Sequence, residues 1–119
     1  MNLEELHEYC LSRPFATEEM PFGEDIVVFK LANKIFALMW LDKEPYGFNV
    51  KCEPEKAIAL REAYPDHVMP GYHMNKTHWN TIYLGALPKH FYKEQIDHSY
   101  TLIWQSLPQR LRQQFNSAQ

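Results

Sequence analysis

Two apolar runs, Ile26 to Leu31 and Ile35 to Leu41, stand only three residues apart, and no other feature constrains the fold of this chain as much. The first is rich in β-branched and aromatic side chains and the second is similarly apolar. Ala32, Asn33 and Lys34 between them suit a tight turn, so the pair predicts an antiparallel hairpin. The second run is also the longest unbroken apolar stretch, seven residues, far below the roughly 20 that span a bilayer. No transmembrane helix is therefore expected. Extended pieces at Phe15 to Met20 and Gly47 to Cys52 flank the hairpin, the latter alternating Phe48, Val50 and Cys52 against Asn49 and Lys51, and together they predict an antiparallel meander.

Helices are expected around the meander. Asn2 followed by Glu5 makes a capping-box start, and Leu3, Leu6, His7 and Cys10 recur at helical spacing, which predicts an amphipathic helix over residues 3–12 that Pro14 ends. Pro54 suits the first turn of a second helix whose face carries Ala57, Leu60, Arg61 and Tyr64, with Arg61 burying its stem, until Pro65 stops it. Residues 66–78 have no regular period, and Pro70-Gly71 signals a turn. A strand follows at about residues 79–84, then a long closing helix over 89–106 with Tyr92, Ile96, Ser99 and Ile103 on one face. Pro108 starts a short turn through Arg112, and residues 115–119 read as a frayed tail. The predicted fold class is α+β, one domain over residues 1–119, with an antiparallel sheet backed by helices.

Composition excludes several classes of function. Of 119 residues, 45% are hydrophobic and 23% charged, a globular rather than disordered mixture. Cys10 and Cys52 stand apart without metal-type spacing, each in an apolar-periodic segment, and are expected as buried thiols. Carboxylates at Glu4 and Glu5 replace the positive charge of a signal peptide, so a cytoplasmic location is expected. The four glycines at 23, 47, 71 and 85 form no phosphate loop, there is no nucleophile elbow, and the adjacent acids Glu4-Glu5, Glu18-Glu19 and Glu24-Asp25 read as solvated surface. No catalytic residue, metal or cofactor is expected. Net charge is −3, divided unevenly. Residues 1–60 hold six basic and eleven acidic side chains, a balance of −5, and the remainder hold six and four, a balance of +2. Any grip on nucleic acid must therefore come from a local basic patch.

The unusual segment runs from Gly71 to Asn80, where two histidines, two asparagines, a lysine and two aromatics occupy ten residues. On a functional reading, Lys76 contacts phosphate, Asn75 and Asn80 hydrogen-bond to bases or phosphates, and Tyr72 or Trp79 stacks. On a structural reading, Asn75 caps a turn, Lys76 is solvated, His78 bonds to backbone and Trp79 anchors its strand in the core. His67, His73 and His78 match no zinc spacing. Trp40 and Trp104 are expected in the core.

The run His73-Met-Asn-Lys-Thr-His-Trp-Asn-Thr-Ile-Tyr-Leu84 resembles the MmcQ/YjbR family of small bacterial proteins. It is supported by Lys34-Ile-Phe-Ala37, by Leu60-Arg61-Glu62 before Tyr64-Pro65, and by Ser99-Tyr100. The resemblance implies a frataxin-like α+β domain with a double-wing DNA-binding arrangement and no catalytic residues. Carried onto this chain, the wings are the hairpin turn at Asn33-Lys34 and the segment from Lys76 to Trp79. The expected function is then a non-enzymatic module that binds double-stranded DNA as a monomer, with Lys34, Tyr72, His73, Asn75, Lys76, His78, Trp79 and Asn80 as the candidate contacts. The alternative is a protein- or small-ligand-binding domain that uses residues 66–80 and binds no DNA.

Overall fold

A computed structural model describes residues 1–118. The expected hairpin is its centre. Strands β2 (Ile26–Leu31) and β3 (Lys34–Trp40) pair antiparallel through a two-residue turn, in which Ala32 and Asn33 adopt φ of 49° and 67°. Left-handed conformations at both positions match the right-handed twist of the strands they join. β1 (Thr17–Glu19) pairs with β2, and β4 (Gly47–Lys51) pairs with β3. The stretch without regular period holds a short strand, β5 (Val68–Pro70), which pairs with β6 (Trp79–Tyr83). The sheet order is β1-β2-β3-β4-β6-β5, antiparallel throughout.

The helices are α1 (Leu3–Leu11), α2 (Pro54–Ala63), α3 (Lys89–Ser106) and α4 (Gln109–Ser117). Their side of the sheet is where the core lies. Val27, Phe29, Ala37, Met39, Phe48, Val50 and Ile82 meet Leu6 and Cys10 of α1 and Tyr92, Ile96 and Ile103 of α3. The capping box forms as expected, with the Glu5 N–H donating to Asn2 Oδ1 at 2.8 Å and the Asn2 N–H to Glu5 Oε1 at 3.3 Å. Tyr9 Oη donates to Asp97 at 2.7 Å and fastens α1 to α3. A register shift between Phe29 and Lys30 turns Phe36 inward beside Ala37. Ser99 spans this irregularity, donating to the Phe36 carbonyl at 2.6 Å and accepting from the Lys51 N–H at 2.9 Å.

Two expectations are corrected here. The chain beyond Pro108 forms a full helix rather than a short turn, because Phe115 packs against Phe15 and Trp104 with ring centroids 4.6 and 6.0 Å away. Residues 115–117 are therefore helical, and of the expected frayed tail Gln119 lies outside the described residues. Trp40 and Trp104 are only half-buried, and Trp40 faces away from the helices. Among the described residues, no helix is long and apolar enough to cross a membrane.

Candidate functional site

Strand direction sorts the charged residues onto two ends of the sheet. The β2–β3 turn, the end of β4 and the start of β6 share one end, since Lys51 pairs with Trp79 and the Cys52 N–H donates to the His78 carbonyl at 2.8 Å. Lys34, Lys51, Lys56 at the start of α2, and Lys76 in the β5–β6 connection all lie there. β3, which Lys34 begins, and β6, which the β5–β6 connection enters, are two strand spacings apart, about 10 Å. The ion pairs among the described residues are Arg13–Asp97, Lys30–Glu19 and Lys89–Glu5, and His7 hydrogen-bonds to Glu18, so none of these four lysines has a carboxylate partner. Lys34 Nζ donates to Ser106 Oγ at 3.3 Å, which brings the end of α3 to the same place. Glu53 and Glu55 are the acids that open α2 here.

The opposite end is acidic. Asp25 enters β2, and Asp42 and Glu44 lie in the β3–β4 connection. Met1 to Glu4 share a surface depression with Glu44, Pro45, Leu84 and Gly85, which brings the acidic start of α1 to this end as well. The excess of carboxylates in residues 1–60 thus faces largely away from the lysines.

The β5–β6 connection is held from the helix side and from within the sheet. Arg61 of α2 donates through Nε to Asn80 Oδ1 at 2.7 Å, and its Nη2 donates to the carbonyls of Lys76 and Trp79. Asn80 Nδ2 donates in turn to the Ala57 carbonyl at 3.5 Å. At 1% exposure, with both ends of its amide engaged, Asn80 cannot reach a nucleic acid. It is removed from the candidate contacts and becomes the residue that ties α2 to β6. Gly71 is needed for close approach, because a Cβ there would lie 2.7 Å from Trp79 Cβ.

The remaining candidates divide. Asn75, Lys76 and His78 are exposed on the connection at the lysine end, and Asn75 Oδ1 also accepts from the Thr77 N–H at 2.9 Å, so its side chain shapes the turn. Trp79 is half-buried at the start of its strand. Tyr72 and His73 instead fold back over the helix-free face of the sheet. A buried pair holds them there: Thr81 Oγ1 donates to Asn49 Oδ1 at 2.6 Å and accepts from the Tyr72 N–H at 2.9 Å, and Asn49 Nδ2 donates to the Tyr72 carbonyl at 3.1 Å. His73 has a φ of 60°, a left-handed conformation that costs a non-glycine residue roughly 1–2 kcal/mol.

Tyr72 and His73 form one wall of a cleft of about 780 Å³ on this open face. Trp40 and Tyr83 are also in its lining, their rings 5.9 Å apart and edge to face, and Trp40 Nε1 donates to the Pro45 carbonyl at 3.1 Å. Sequence reasoning missed this cleft, although the alternation of Trp79, Thr81 and Tyr83 with Asn80 and Ile82 signalled a second face to the sheet. Among the described residues, no group of three or more His, Cys, Asp and Glu is placed to hold a metal ion. His67 contacts the Gly85 end of β6 and His78 the Cys52 end, so the histidines do not converge.

Burial shifts both thiols and one imidazole. It pushes the Cys10 thiol up to about 12 and raises that of Cys52, and neither forms a disulfide. His98 accepts from the Glu53 N–H at 3.4 Å, and burial, with Lys56 nearby, holds its imidazole below the usual value.

A family model described as YjbR matches residues 11–102. The uncharacterised protein YbdF of Escherichia coli O157:H7 is 34% identical over 115 residues, covering 92% of this chain and 93% of its own. The uncharacterised protein YjbR of Escherichia coli K12 is 32% identical over 113 residues, covering 94% and 95%. Among solved structures, the Deinococcus radiodurans protein DR2400, a DUF419 domain, superposes with a TM-score of 0.90 at 30% identity over 97% of this chain and 88% of its own. A Pseudomonas syringae protein superposes with a TM-score of 0.74 at 26% identity, over 86% and 98%.

Proposed function

This chain belongs to the YjbR family, and from that premise we propose that it is a non-enzymatic module that binds double-stranded DNA through the lysine end of its sheet. One observation carries the reading: Lys34, Lys51, Lys56 and Lys76 gather at one end without carboxylate partners among the described residues, while most acids of the N-terminal half lie elsewhere. Two connections, the β2–β3 turn and residues 75–78, frame that end as a pair of wings. Lys34 and Lys76 are the phosphate contacts, with Asn75 and His78 beside the groove. Tyr72 and His73 belong to the open face and are not part of this surface.

Two phosphate contacts give a slope of log affinity against log salt of about −1.8, equivalent to a loss of about 12-fold between 50 and 200 mM salt. Fluorescence anisotropy of a labelled duplex, titrated at those two concentrations, tests this. Lys76→Ala should flatten the slope by about 0.9 and weaken binding similarly on unrelated sequences. Absence of binding at 50 mM salt would refute the proposal. The second reading, a protein- or small-ligand-binding domain that binds no DNA, is favoured by a different observation, the cleft that Tyr72 and His73 wall.

A further inference from the structure

The open-face cleft lies toward the acidic end of the sheet, and its walls carry a particular combination of groups. Trp40, Tyr72, Tyr83 and Phe22 supply aromatic surface, with Phe22 63% and Tyr72 58% exposed. Asp25, Asp42 and Glu44 supply negative charge at its rim. Lys43 is the one lysine or arginine in the lining, and its Nζ sits 5.4 Å from the centre of the Tyr72 ring. A cavity of about 780 Å³ is the size that takes a small molecule. Its charge balance, three carboxylates against one ammonium, repels anions and therefore phosphate.

We infer that this cleft binds a small organic ammonium ion with an apolar body, and that Lys43 occupies the cation position over Tyr72 when no ligand is present. The physical reason is twofold. The negative face of an aromatic ring attracts a cation within about 6 Å of its centroid, and the Lys43 contact meets that condition within the chain itself. The carboxylates then neutralise the ligand's charge while Trp40 and Tyr83 cover its apolar part. The buried Asn49–Thr81 pair fixes the backbone of Tyr72, so the ring is presented rather than free to collapse. This inference rests only on the ligand-binding role of the open face, and it neither requires nor excludes DNA binding at the lysine end.

The test uses three probes of one shape and different charge: 2-phenylethylammonium, 2-phenylethanol and phenylacetate. Each is titrated into the full-length protein while the Trp40 indole N–H is followed by NMR. The ammonium should give a saturable shift, with the alcohol about tenfold weaker and phenylacetate without effect. Lys43→Ala removes both an occupant and a like charge, so it should tighten the ammonium about two- to fivefold, whereas Asp42→Asn should weaken it. Both positions are exposed, and the same spectra report whether the variants fold. Equal binding of alcohol and ammonium, or weaker ammonium binding by Lys43→Ala, would overturn the cation assignment and leave a neutral-ligand site. No saturable shift with any probe would overturn the ligand-binding reading too.

Discussion

Replacing Asn80 with alanine isolates the contact that positions the β5–β6 connection. The side chain is fully enclosed, accepts from the Arg61 guanidinium at 2.7 Å and donates to the Ala57 carbonyl at 3.5 Å. A hydrogen bond to a charged group contributes about 1.5–3 kcal/mol and a neutral one about 0.5–1.5 kcal/mol. The second is long and belongs at the bottom of its range, so the loss should be about 2–4 kcal/mol. At about 4 °C per kcal/mol for a chain of this size, the melting temperature should fall by about 8–16 °C. Urea unfolding of wild type, Asn80→Ala, Arg61→Ala and the double variant completes a cycle. Its coupling energy should be about 1.5–3 kcal/mol, because the guanidinium bond is shared between the two residues. Asn80→Ala costing less than about 0.5 kcal/mol, the range of an ordinary surface change, would refute the account of α2 as the anchor of this connection.

Further outcomes follow from the same structure. Ser99→Ala should cost about 2–4 kcal/mol, since it leaves both the Phe36 carbonyl and the Lys51 N–H without their partner; urea unfolding measures it. Ala32→Asn should add about 0.5 kcal/mol by placing a residue tolerant of left-handed backbone in the hairpin turn. His98 is held below its unfolded value of 6.5. Its contribution is therefore complete above that pH and is lost as pH falls through the lower folded value, because the unfolded chain binds the proton more readily. Melting temperatures should show this acid-side decline in wild type, and His98→Gln should flatten it.

The hairpin, the capping box and the proline-bounded helices were legible because their signals are local, carried by residues within one turn or one strand. β5 was not, since three residues from Val68 to Pro70 are too few to show alternation. α4 was missed because its sequence is mostly polar and its stabilising contacts reach back to Phe15, a hundred positions earlier. Asn80 read as a surface amide beside Lys76, and only the pairing of β6 with β4 turns it toward Arg61. Trp40 read as core because its run is apolar throughout, yet strand parity puts it on the face without helices. The cleft depends on residues near 22, 43, 72 and 83 meeting across the sheet, which no single segment records. The segregation of charge is likewise a property of strand direction and not of the composition of either half.

That segregation is the central claim, and chemical-shift mapping tests it most directly. A ¹⁵N-labelled sample titrated with a short duplex at low salt should show shifts at Asn33, Lys34, Lys51 and residues 75–79, with the Trp40 indole and Tyr83 unmoved. Shifts concentrated at Trp40, Tyr72 and Tyr83, or none at all, would contradict the assignment of DNA binding to the lysine end.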